Sequence, residues 1–437
     1  MPGPLALARK VRDHLRLLRD DPEKFAANLQ QFTNPARFQA RLADIMTAAP
    51  LHVRVDPSVP GEPALNVLQP ILSPISMTGG PNTIINIAYW VARLGIRVRV
   101  MTTREAPDVT ADWFRTHLAS VTGDPAYPPT LSVVSAADPN APFAIGTRDM
   151  FLATHWTTAQ QVKSLLPLMD VKRFVYLIQD FEPGFYAWSS NYALALETYG
   201  LDHIGVFNES LLHEYLVEQK AGRYRDPEFA AASLVFEPAI DRALFRPRAT
   251  ARTGGKRRLL FYARPTNPRN MFGLGLQALR EVCADPVFQD AEWEFQAIGG
   301  RGSVPPVVLR PGVTLTPAPW QDYRGYAELL RESDILLSLM LSPHTSYPVL
   351  EMAASGGIAV TNTYDNKTAA RMTAISPNII ARSPTLEGVT AGLLEAARAA
   401  RDGIDANAPL HLPSTWRESL GDAAAGVARL FRELTAA

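Results

Sequence analysis

The sequence predicts an α/β protein with two successive doubly wound domains, each a parallel sheet between helices. Short apolar segments alternate with helical ones in two series, from 65 to 207 and from 257 to 362, and such alternation is typical of βαβ units. Between them lies a segment rich in Pro, Gly and Arg, EPAIDRALFRPRATARTGGKRR. Ligands of such sheets bind beyond the carboxyl ends of the strands. We therefore expect the two domains to share one cleft.

The individual strands follow from these apolar runs. In the first series we predict strands at 65–69, 96–102, 131–135, 150–154, 173–179 and 203–207. In the second we predict them at 257–265, 293–299, 313–317, 334–340 and 358–362. The expected organisation is a helical N-terminal extension at 1–60, a first domain at 61–245, a second domain at 246–415, and a helix at 416–437 that returns to the first domain.

Composition excludes several classes of protein. The 437 residues are enough for two or three domains, and 47% hydrophobic with 20% charged residues describes a globular chain. Lys plus Arg and Asp plus Glu both count 43, so no overall field favours nucleic acid. The single cysteine, Cys283, excludes an intramolecular disulfide framework and a cysteine-based zinc cluster. Without a membrane-span-like run or a signal-peptide core, the expected location is the cytoplasm.

The N-terminal extension contains a basic amphipathic segment, LALARKVRDHLRLLRD, with Leu7, Val11, Leu15 and Leu18 on one helical face. Two interpretations remain open. The favoured one is a helix packed on its own domain with a solvated basic face. The other is peripheral contact with an anionic membrane, here the inner face of the inner membrane, or with a glycan-assembly complex.

The segment SPHTSYPVLEMAASGGIAVTNT, residues 342–363, indicates a ligand site. It follows an apolar strand, begins a helix at Pro348, and returns to a strand through Gly356-Gly357. Helix N-termini reached from a strand bind anions through free N–H groups. The alternative is purely local, because Thr345 or Ser346 can cap the helix and acids such as Glu351 are favoured near helix N-termini.

Two further loops point to the same cleft. Gly79-Gly80 follows the first strand, where glycine lets the backbone approach a ligand closely, although the G-x-G-x-x-G pattern of dinucleotide sites is absent. Arg264 and Arg269 follow the first strand of the second series. Two such arginines can hold a diphosphate with forked hydrogen bonds.

The order of these motifs resembles glycosyltransferase family 4, of the glycosyltransferase-B fold, over roughly residues 64–435. The segment EPAIDRALFRP resembles the family linker N-G-V-D-x-x-x-F-x-P at Asp241, Phe245 and Pro247. More narrowly, YLIQDFEPGFYAWSSNYALA and LSPHTSYPVLEMAASGGIAVTN are similar to the WsaF-type rhamnosyltransferases that extend bacterial cell-surface polysaccharides.

The resemblance implies a donor site. Arg264 and Arg269 match an Arg and a Lys that grip the donor diphosphate, and Glu351 matches the glutamate that holds the donor ribose. The remaining donor-binding candidates are the glycine pair and the residues that begin the helix: Gly79, Gly80, His344, Thr345, Ser346 and Tyr347. The amides of residues 345–347 and the two arginines are expected to stabilise the departing diphosphate, and this work requires no metal or other cofactor.

Two departures from the family concern the transferred sugar. The usual first glutamate is replaced by Pro343, and the usual strand-end histidine is replaced in RFVYLIQDFEP. Asp180 or Glu182 is then expected to accept the acceptor's proton or to support an oxocarbenium-like centre. His155 is a second-rank catalytic candidate. Phe181, Tyr186 and Trp188 are expected to line an acceptor groove, and internal packing is the alternative for at least half of the local aromatics.

The predicted function is a cytoplasmic, metal-independent, retaining hexosyltransferase that moves L-rhamnose from dTDP-L-rhamnose onto a growing glycan. Retention is implied by the family alone. The expected partners are a nucleotide sugar and a glycan acceptor, without nucleic acid. The alternatives are a transferase using another UDP- or GDP-sugar, an epimerase of the same fold, and a catalytically silent protein that binds nucleotide sugar or glycan.

Overall fold

Runs of β-branched and aliphatic residues form two parallel sheets in the computed structural model, which describes residues 21, 50–77, 79–248, 256–289, 293–300 and 305–436. The predicted basic helix around 7–18 lies outside the described residues. From residue 50 onward the chain forms one compact unit that contains both sheets.

The first domain is built on seven parallel strands in the order β4-β3-β2-β6-β7-β8-β9. Most are buried along their whole length, because helices cover both faces of a parallel sheet. The strands are β2 (Leu65–Gln69), β3 (Val98–Thr102), β4 (Leu131–Ser135), β6 (Met150–Ala153), β7 (Phe174–Ile178), β8 (His203–Asn208) and β9 (Leu234–Phe236), with a separate parallel pair, β1 (Val53–Val55) and β5 (Phe143–Ile145).

The second domain repeats this plan in the order β12-β13-β11-β10-β14-β15-β16. All neighbouring strands pair in parallel except the edge strand β12, which runs antiparallel to β13. The strands are β10 (Arg257–Tyr262), β11 (Trp293–Ile298), β12 (Val307–Arg310), β13 (Val313–Pro317), β14 (Ile335–Leu337), β15 (Ile358–Asn362) and β16 (Ile379–Arg382).

Helices cover both faces of each sheet. In the first half of the chain they are α1 (Gly79–Arg93), α2 (Ala111–Thr122), α3 (Trp156–Leu165), α4 (Ser190–Thr198), α5 (Ser210–Glu218) and α6 (Pro227–Ala231). In the second half they are α7 (Phe272–Val282), α8 (Pro286–Gln289), α9 (Tyr323–Arg331), α10 (Tyr347–Ala354), α11 (Ala369–Ile375), α12 (Leu386–Asp402) and α13 (Trp416–Ala436).

The last helix, α13, crosses back to the first domain. It packs against α1 and β9, and its apolar face, including Leu420, Val427 and Phe431, joins the core between α1, α2 and the first sheet. The chain therefore passes between the domains twice.

The predicted helical extension at 1–60 is wrong over its last residues. Val53–Val55 form β1, which pairs with β5, and the described residues from 50 to 60 contain no helix. Two β-branched residues at alternate positions favour an extended strand, and the prolines that follow at 57 and 60 disfavour helix.

Candidate functional site

The carboxyl ends of the two sheets meet at Asp180 and Arg269. Asp180 follows β7, and Arg269 lies in the 3-10 turn Pro268–Asn270 after β10. Their side chains form an ion pair between the domains, and the same carboxylate accepts a hydrogen bond from the Ser342 hydroxyl. It also accepts from the backbone N–H of Phe181, at 2.8 Å. In this structure both oxygens of Asp180 therefore have partners.

The two arginines of the predicted diphosphate clamp differ in their surroundings. The Arg269 guanidinium lies over the Phe185 ring, 4.4 Å from its centroid, and burial lowers its pKa to about 10, so it stays charged at neutral pH. Arg264 is half-buried and donates to the Tyr262 hydroxyl at 3.4 Å. It forms no ion pair with any residue that the structure describes. Arg264 thus presents an uncompensated charge.

Two of the three helix-start amides that were expected to be free are already bonded. The Thr345 N–H donates to Glu209 Oε1 at 2.5 Å, and the Thr345 hydroxyl donates to Glu209 Oε2 at 2.6 Å. The Ser346 N–H donates to His344 Nδ1 at 2.9 Å. A carboxylate and an imidazole of the protein therefore already accept from these two amides, and their expected role at the diphosphate stays a prediction.

His344 serves this loop as a neutral acceptor. Its side chain is buried, and burial lowers its pKa to about 3, with the nearby charges of Arg269 and Lys367 acting in the same direction. Because Nδ1 accepts from Ser346, the proton of the neutral ring is assigned to Nε2. His344 is therefore a structural partner of the loop in this arrangement.

Glu209 and Ser346, on either side of this contact, both have unusual backbone conformations. Glu209 has φ 120° and Ser346 has φ 79°, where side-chain-bearing residues are rare. Such conformations cost on the order of 1–3 kcal/mol each and are concentrated at functional sites. Glu209 accepts two hydrogen bonds from Thr345, which precedes Ser346 in the chain. These bonds therefore join the two unusual backbone positions.

A buried lysine supports the loop from the second domain. Lys367 is fully buried, and its ammonium donates to the carbonyls of Met340, at 3.0 Å, and His344, at 3.3 Å. Burial lowers its pKa to about 7, and the charge of Glu209 opposes that shift. Glu209 itself has its pKa raised by burial to about 8.

The predicted glycine loop lies against the start of α10. The Tyr347 hydroxyl accepts from Asn208 Nδ2 at 3.1 Å and lies 3.4 Å from Thr83 Oγ1. A methyl group at Gly79 would lie 3.6 Å from the Tyr347 ring, and one at Gly80 would lie 3.6 Å from the Gln179 amide. The structure thus brings Gly79, Gly80 and Tyr347 together between the domains.

Glu351 points to two tyrosines of α9. Its carboxylate accepts from the Tyr326 hydroxyl at 3.0 Å and from the Tyr323 hydroxyl at 3.4 Å. Burial raises its pKa to about 7, and these two hydrogen bonds limit the shift. A carboxylate with two oxygens can still accept from a ligand hydroxyl, because each oxygen carries two lone pairs.

Glu182 and His155 lie deeper in the first domain. The Glu182 carboxylate accepts from the Trp156 N–H at 2.6 Å and the Tyr176 hydroxyl at 3.0 Å, and burial raises its pKa to about 8. His155 caps α3, with Nδ1 accepting from the Thr157 N–H, and burial lowers its pKa to about 4. Both side chains therefore stabilise the start of α3.

The three acceptor-groove aromatics have separate environments. Phe181 packs against Tyr199 and Tyr215, with ring centroids 6.1 and 5.2 Å away. The Tyr186 hydroxyl accepts from Trp156 Nε1 at 2.9 Å. Trp188 is 97% exposed, and its ring is the most accessible of the three to an acceptor.

Two kinds of feature are absent from the described part of the chain. No group of three or more His, Cys, Asp or Glu residues within it could hold a metal ion. No helix among the same residues is long and apolar enough to cross a membrane.

Family models match both domains. The model for the WsaF N-terminal domain matches residues 64–210, and the model for the WsaF C-terminal domain matches residues 257–394. The chain belongs to the WsaF family. The O-antigen biosynthesis protein RfbC of Myxococcus xanthus is 36% identical to this WsaF-family chain over 254 residues, which are 57% of this chain and 18% of RfbC. The match therefore spans less than a fifth of that relative.

Solved structures establish the glycosyltransferase-B fold of this WsaF-family protein. Sucrose-phosphate synthase from Thermosynechococcus elongatus is similar with a TM-score of 0.54 and 11% identity, covering 86% of this chain and all of that one. Anabaena HepE in complex with UDP-glucose is similar with a TM-score of 0.52 and 12% identity, covering 85% of this chain and 98% of that one. At such identities the likeness concerns the fold alone.

Sequence reasoning missed Glu209 and Lys367. The signal for Glu209 was the polar pair Asn208-Glu209, which follows the apolar strand HIGVF at its carboxyl end. Lys367 follows a turn after β15 and carries no comparable motif. Its role depends on the tertiary structure, which determines the backbone carbonyls that its ammonium contacts.

Proposed function

We propose that the protein is a retaining, metal-independent glycosyltransferase that moves L-rhamnose from dTDP-L-rhamnose onto a growing bacterial cell-surface polysaccharide. The observation that carries this proposal is the position of Arg269, a half-buried cation where the carboxyl ends of the two sheets meet. Arg264 follows β10 in the same domain, and Glu351 lies in α10, the helix that follows the neighbouring strand β14.

Each group has a task in the transfer. Arg264 and Arg269 bind the donor diphosphate, and Glu351 accepts from the 3′-hydroxyl of the donor's deoxyribose. The acceptor oxygen bonds to the anomeric carbon while the bond from that carbon to the diphosphate oxygen breaks, and its electron pair leaves with the diphosphate. The arginines stabilise this charge. Asp180, once Arg269 has turned to the diphosphate, accepts the proton of the acceptor hydroxyl.

The choice of sugar and acceptor has separate support. Pro343, which is buried, replaces the family's donor-sugar carboxylate, and an apolar residue there suits a 6-deoxy sugar such as rhamnose. Family membership supports the rhamnosyl donor. The similarity to the Myxococcus RfbC, an O-antigen biosynthesis protein, supports a cell-surface polysaccharide as acceptor.

A ligand panel tests the donor. The melting temperature is measured with dTDP, dTDP-L-rhamnose, UDP, UDP-glucose and GDP-mannose, in EDTA and again with Mg²⁺. A ligand at 100 times its Kd stabilises the folded state by about 2.7 kcal/mol. We expect a rise with the dTDP ligands in EDTA that is lost in Arg264→Ala and Glu351→Ala.

The matched control is Arg382→Ala, which removes an exposed arginine paired with Glu395 in the same domain. It should keep the full response. A response confined to UDP or GDP ligands would refute the rhamnose donor. Nucleotide binding that occurs only with Mg²⁺ would refute metal independence. Binding of dTDP-L-rhamnose without transfer of rhamnose to any rhamnan acceptor would refute the proposed enzymatic activity.

A further inference from the structure

The loop at residues 340–346 is held by two buried ionisable side chains from opposite domains. Glu209, at the end of β8 in the first domain, is 1% exposed, and Lys367, after β15 in the second, is 0% exposed. Neither has a task in the transfer described above. Ionisable groups are rarely buried this deeply unless they are paired or hydrogen-bonded.

Lys367 ties the two ends of the loop together. Its ammonium donates to the carbonyl of Met340 at the beginning and to the carbonyl of His344 near the end. Asn362 completes the attachment at Met340, since its amide accepts from the Met340 N–H at 2.7 Å and donates to the Met340 carbonyl at 3.1 Å. These bonds all lie within the second domain, so they do not depend on the first.

Glu209 reaches the same loop from the other domain. Both of its carboxylate oxygens are used by Thr345, one by the backbone N–H and one by the hydroxyl. This bidentate contact joins positions 136 residues apart in the sequence. Because the contact crosses from the first domain to the second, it exists only while the two domains lie together.

Strained backbone at this contact argues against incidental packing. Glu209 holds φ 120°, and Ser346, next to its partner Thr345, holds φ 79°. Side-chain-bearing residues remain in such conformations only where the surroundings over-determine them. Here the surroundings are the hydrogen bonds of Thr345 and His344.

We propose that Glu209 and Lys367 are positioning residues of the donor site. Lys367 fixes the two ends of the 340–346 loop, and Glu209 fixes Thr345 only when the domains close, so that closure and binding of a nucleoside diphosphate are coupled. The proposal rests on the proposed function, in which Arg269 binds the donor diphosphate. The loop borders Arg269, because the Leu341 N–H donates to the Arg269 carbonyl at 2.8 Å.

The test compares Glu209→Gly with wild type. Glycine adopts a φ of 120° without strain, so this variant removes the carboxylate without a steric penalty in the backbone. Dissociation constants for dTDP and UDP are measured by titration calorimetry, and melting temperatures by scanning calorimetry. We expect binding of the preferred nucleotide to weaken at least tenfold while the melting temperature changes by a few degrees or less.

Two further variants sharpen the result. Glu209→Gln keeps an acceptor for the Thr345 N–H and should lose less affinity than Glu209→Gly, and it carries the test should the glycine variant fail to fold. Lys367→Met keeps a side chain of similar length without the ammonium and should also weaken binding tenfold. The control is Glu214→Gln, on α5, whose carboxylate pairs with Arg371 of the second domain at the surface. It should bind nucleotide within twofold of wild type.

A double-mutant cycle checks the route through Thr345. If Glu209 acts through that residue, Glu209→Gly combined with Thr345→Val should bind little worse than Glu209→Gly alone. Unchanged nucleotide binding in Glu209→Gly, or fully additive losses, would overturn the proposal. A wild-type protein that binds neither dTDP nor UDP would instead overturn the proposed function itself, and thus the two failures are distinguishable.

Discussion

Asp180 and Arg269 form an ion pair that joins the carboxyl ends of the first and second sheets. The arginine assigned to the donor diphosphate is thus held by the carboxylate assigned to the acceptor. Because one guanidinium cannot give its full set of hydrogen bonds to both, a bound diphosphate must compete with Asp180. The ion pair therefore connects donor binding to the availability of the base.

Asp180→Asn separates these two roles. It removes the charge that competes for Arg269 but also removes the proton acceptor. We expect the dissociation constant for dTDP to stay equal or fall, while sugar transfer drops by about 10²–10⁴-fold, the usual contribution of a positioned acid or base. The measurements are calorimetric titration with dTDP and the initial rate of transfer.

The control for this variant is Asp202→Asn, which removes an exposed carboxylate paired with Arg173 and Arg223 in the same domain. Its transfer rate should match that of wild type. Transfer by Asp180→Asn at the wild-type rate would show that Asp180 has no part in the chemistry.

Glu351 makes stability depend on pH. Its pKa in the fold is about 7, above the ordinary value of 4.5, so folding favours its neutral form. Its stabilising contribution is complete below pH 4.5 and is lost as the pH rises to about 7. Glutamine does not ionise, so Glu351→Gln should gain stability relative to wild type across this window, by up to about 3 kcal/mol.

Urea unfolding at several pH values between 4.5 and 8 measures this difference. The exposed Glu395, paired with Arg382, provides the control variant Glu395→Gln, whose difference from wild type should lack this rise. A difference between Glu351→Gln and wild type that is flat across the same range would contradict a raised pKa.

Gly80→Ala tests whether the glycine loop leaves room for a ligand. The fold itself has space, since the added methyl would meet the Gln179 amide at an ordinary contact distance of 3.6 Å. We expect an unchanged or slightly higher melting temperature, because alanine reduces the entropy of the unfolded chain. The KM for donor or acceptor should rise several-fold if either ligand approaches this backbone.

Gly273→Ala is the matched control, since Gly273 also lies at the start of a helix and a methyl there would have no neighbour within 4 Å. It should show the same change in melting temperature with unchanged kinetics. Wild-type KM values in Gly80→Ala would place the ligands away from α1.

Trp188 gives the clearest test of acceptor binding, because 97% of its surface is exposed. Trp188→Ala should raise the KM for a glycan acceptor several-fold, since an exposed aromatic face is available for stacking. The melting temperature and the dissociation constant for dTDP should not change. Leu168→Ala, at another exposed apolar residue, is the comparison, and an unaffected acceptor KM in Trp188→Ala would remove Trp188 from the groove.

All eleven predicted strands occur. They were predictable because a buried parallel strand is a run of aliphatic residues, which can be recognised without knowing its neighbouring strands. The strands that were missed are short or lie at edges, as Phe143–Ile145 and Val307–Arg310 do. Such strands depend on pairing with distant residues. The same dependence on tertiary contacts explains why the sequence alone predicts a helical extension over β1.

The site was predictable only where function follows local spacing. Arg264, Arg269 and Glu351 carry family spacings in the sequence, and their roles remain predictions. The capture of Thr345 by Glu209 joins residues 136 positions apart. Burial decides the chemistry of Glu209 and Lys367, and no short motif encodes burial.

The return of α13 has a consequence for biosynthesis. Five of its residues fill the core of the first domain, namely Leu420, Ala423, Ala424, Val427 and Ala428, all at most 2% exposed. Domains generally fold as units during translation, the N-terminal one first. Here the ribosome must translate the whole second domain before it makes the helix that completes the first. The first domain therefore exposes an apolar surface until α13 has been translated. A chaperone that covers this surface during that time would raise the yield of folded protein.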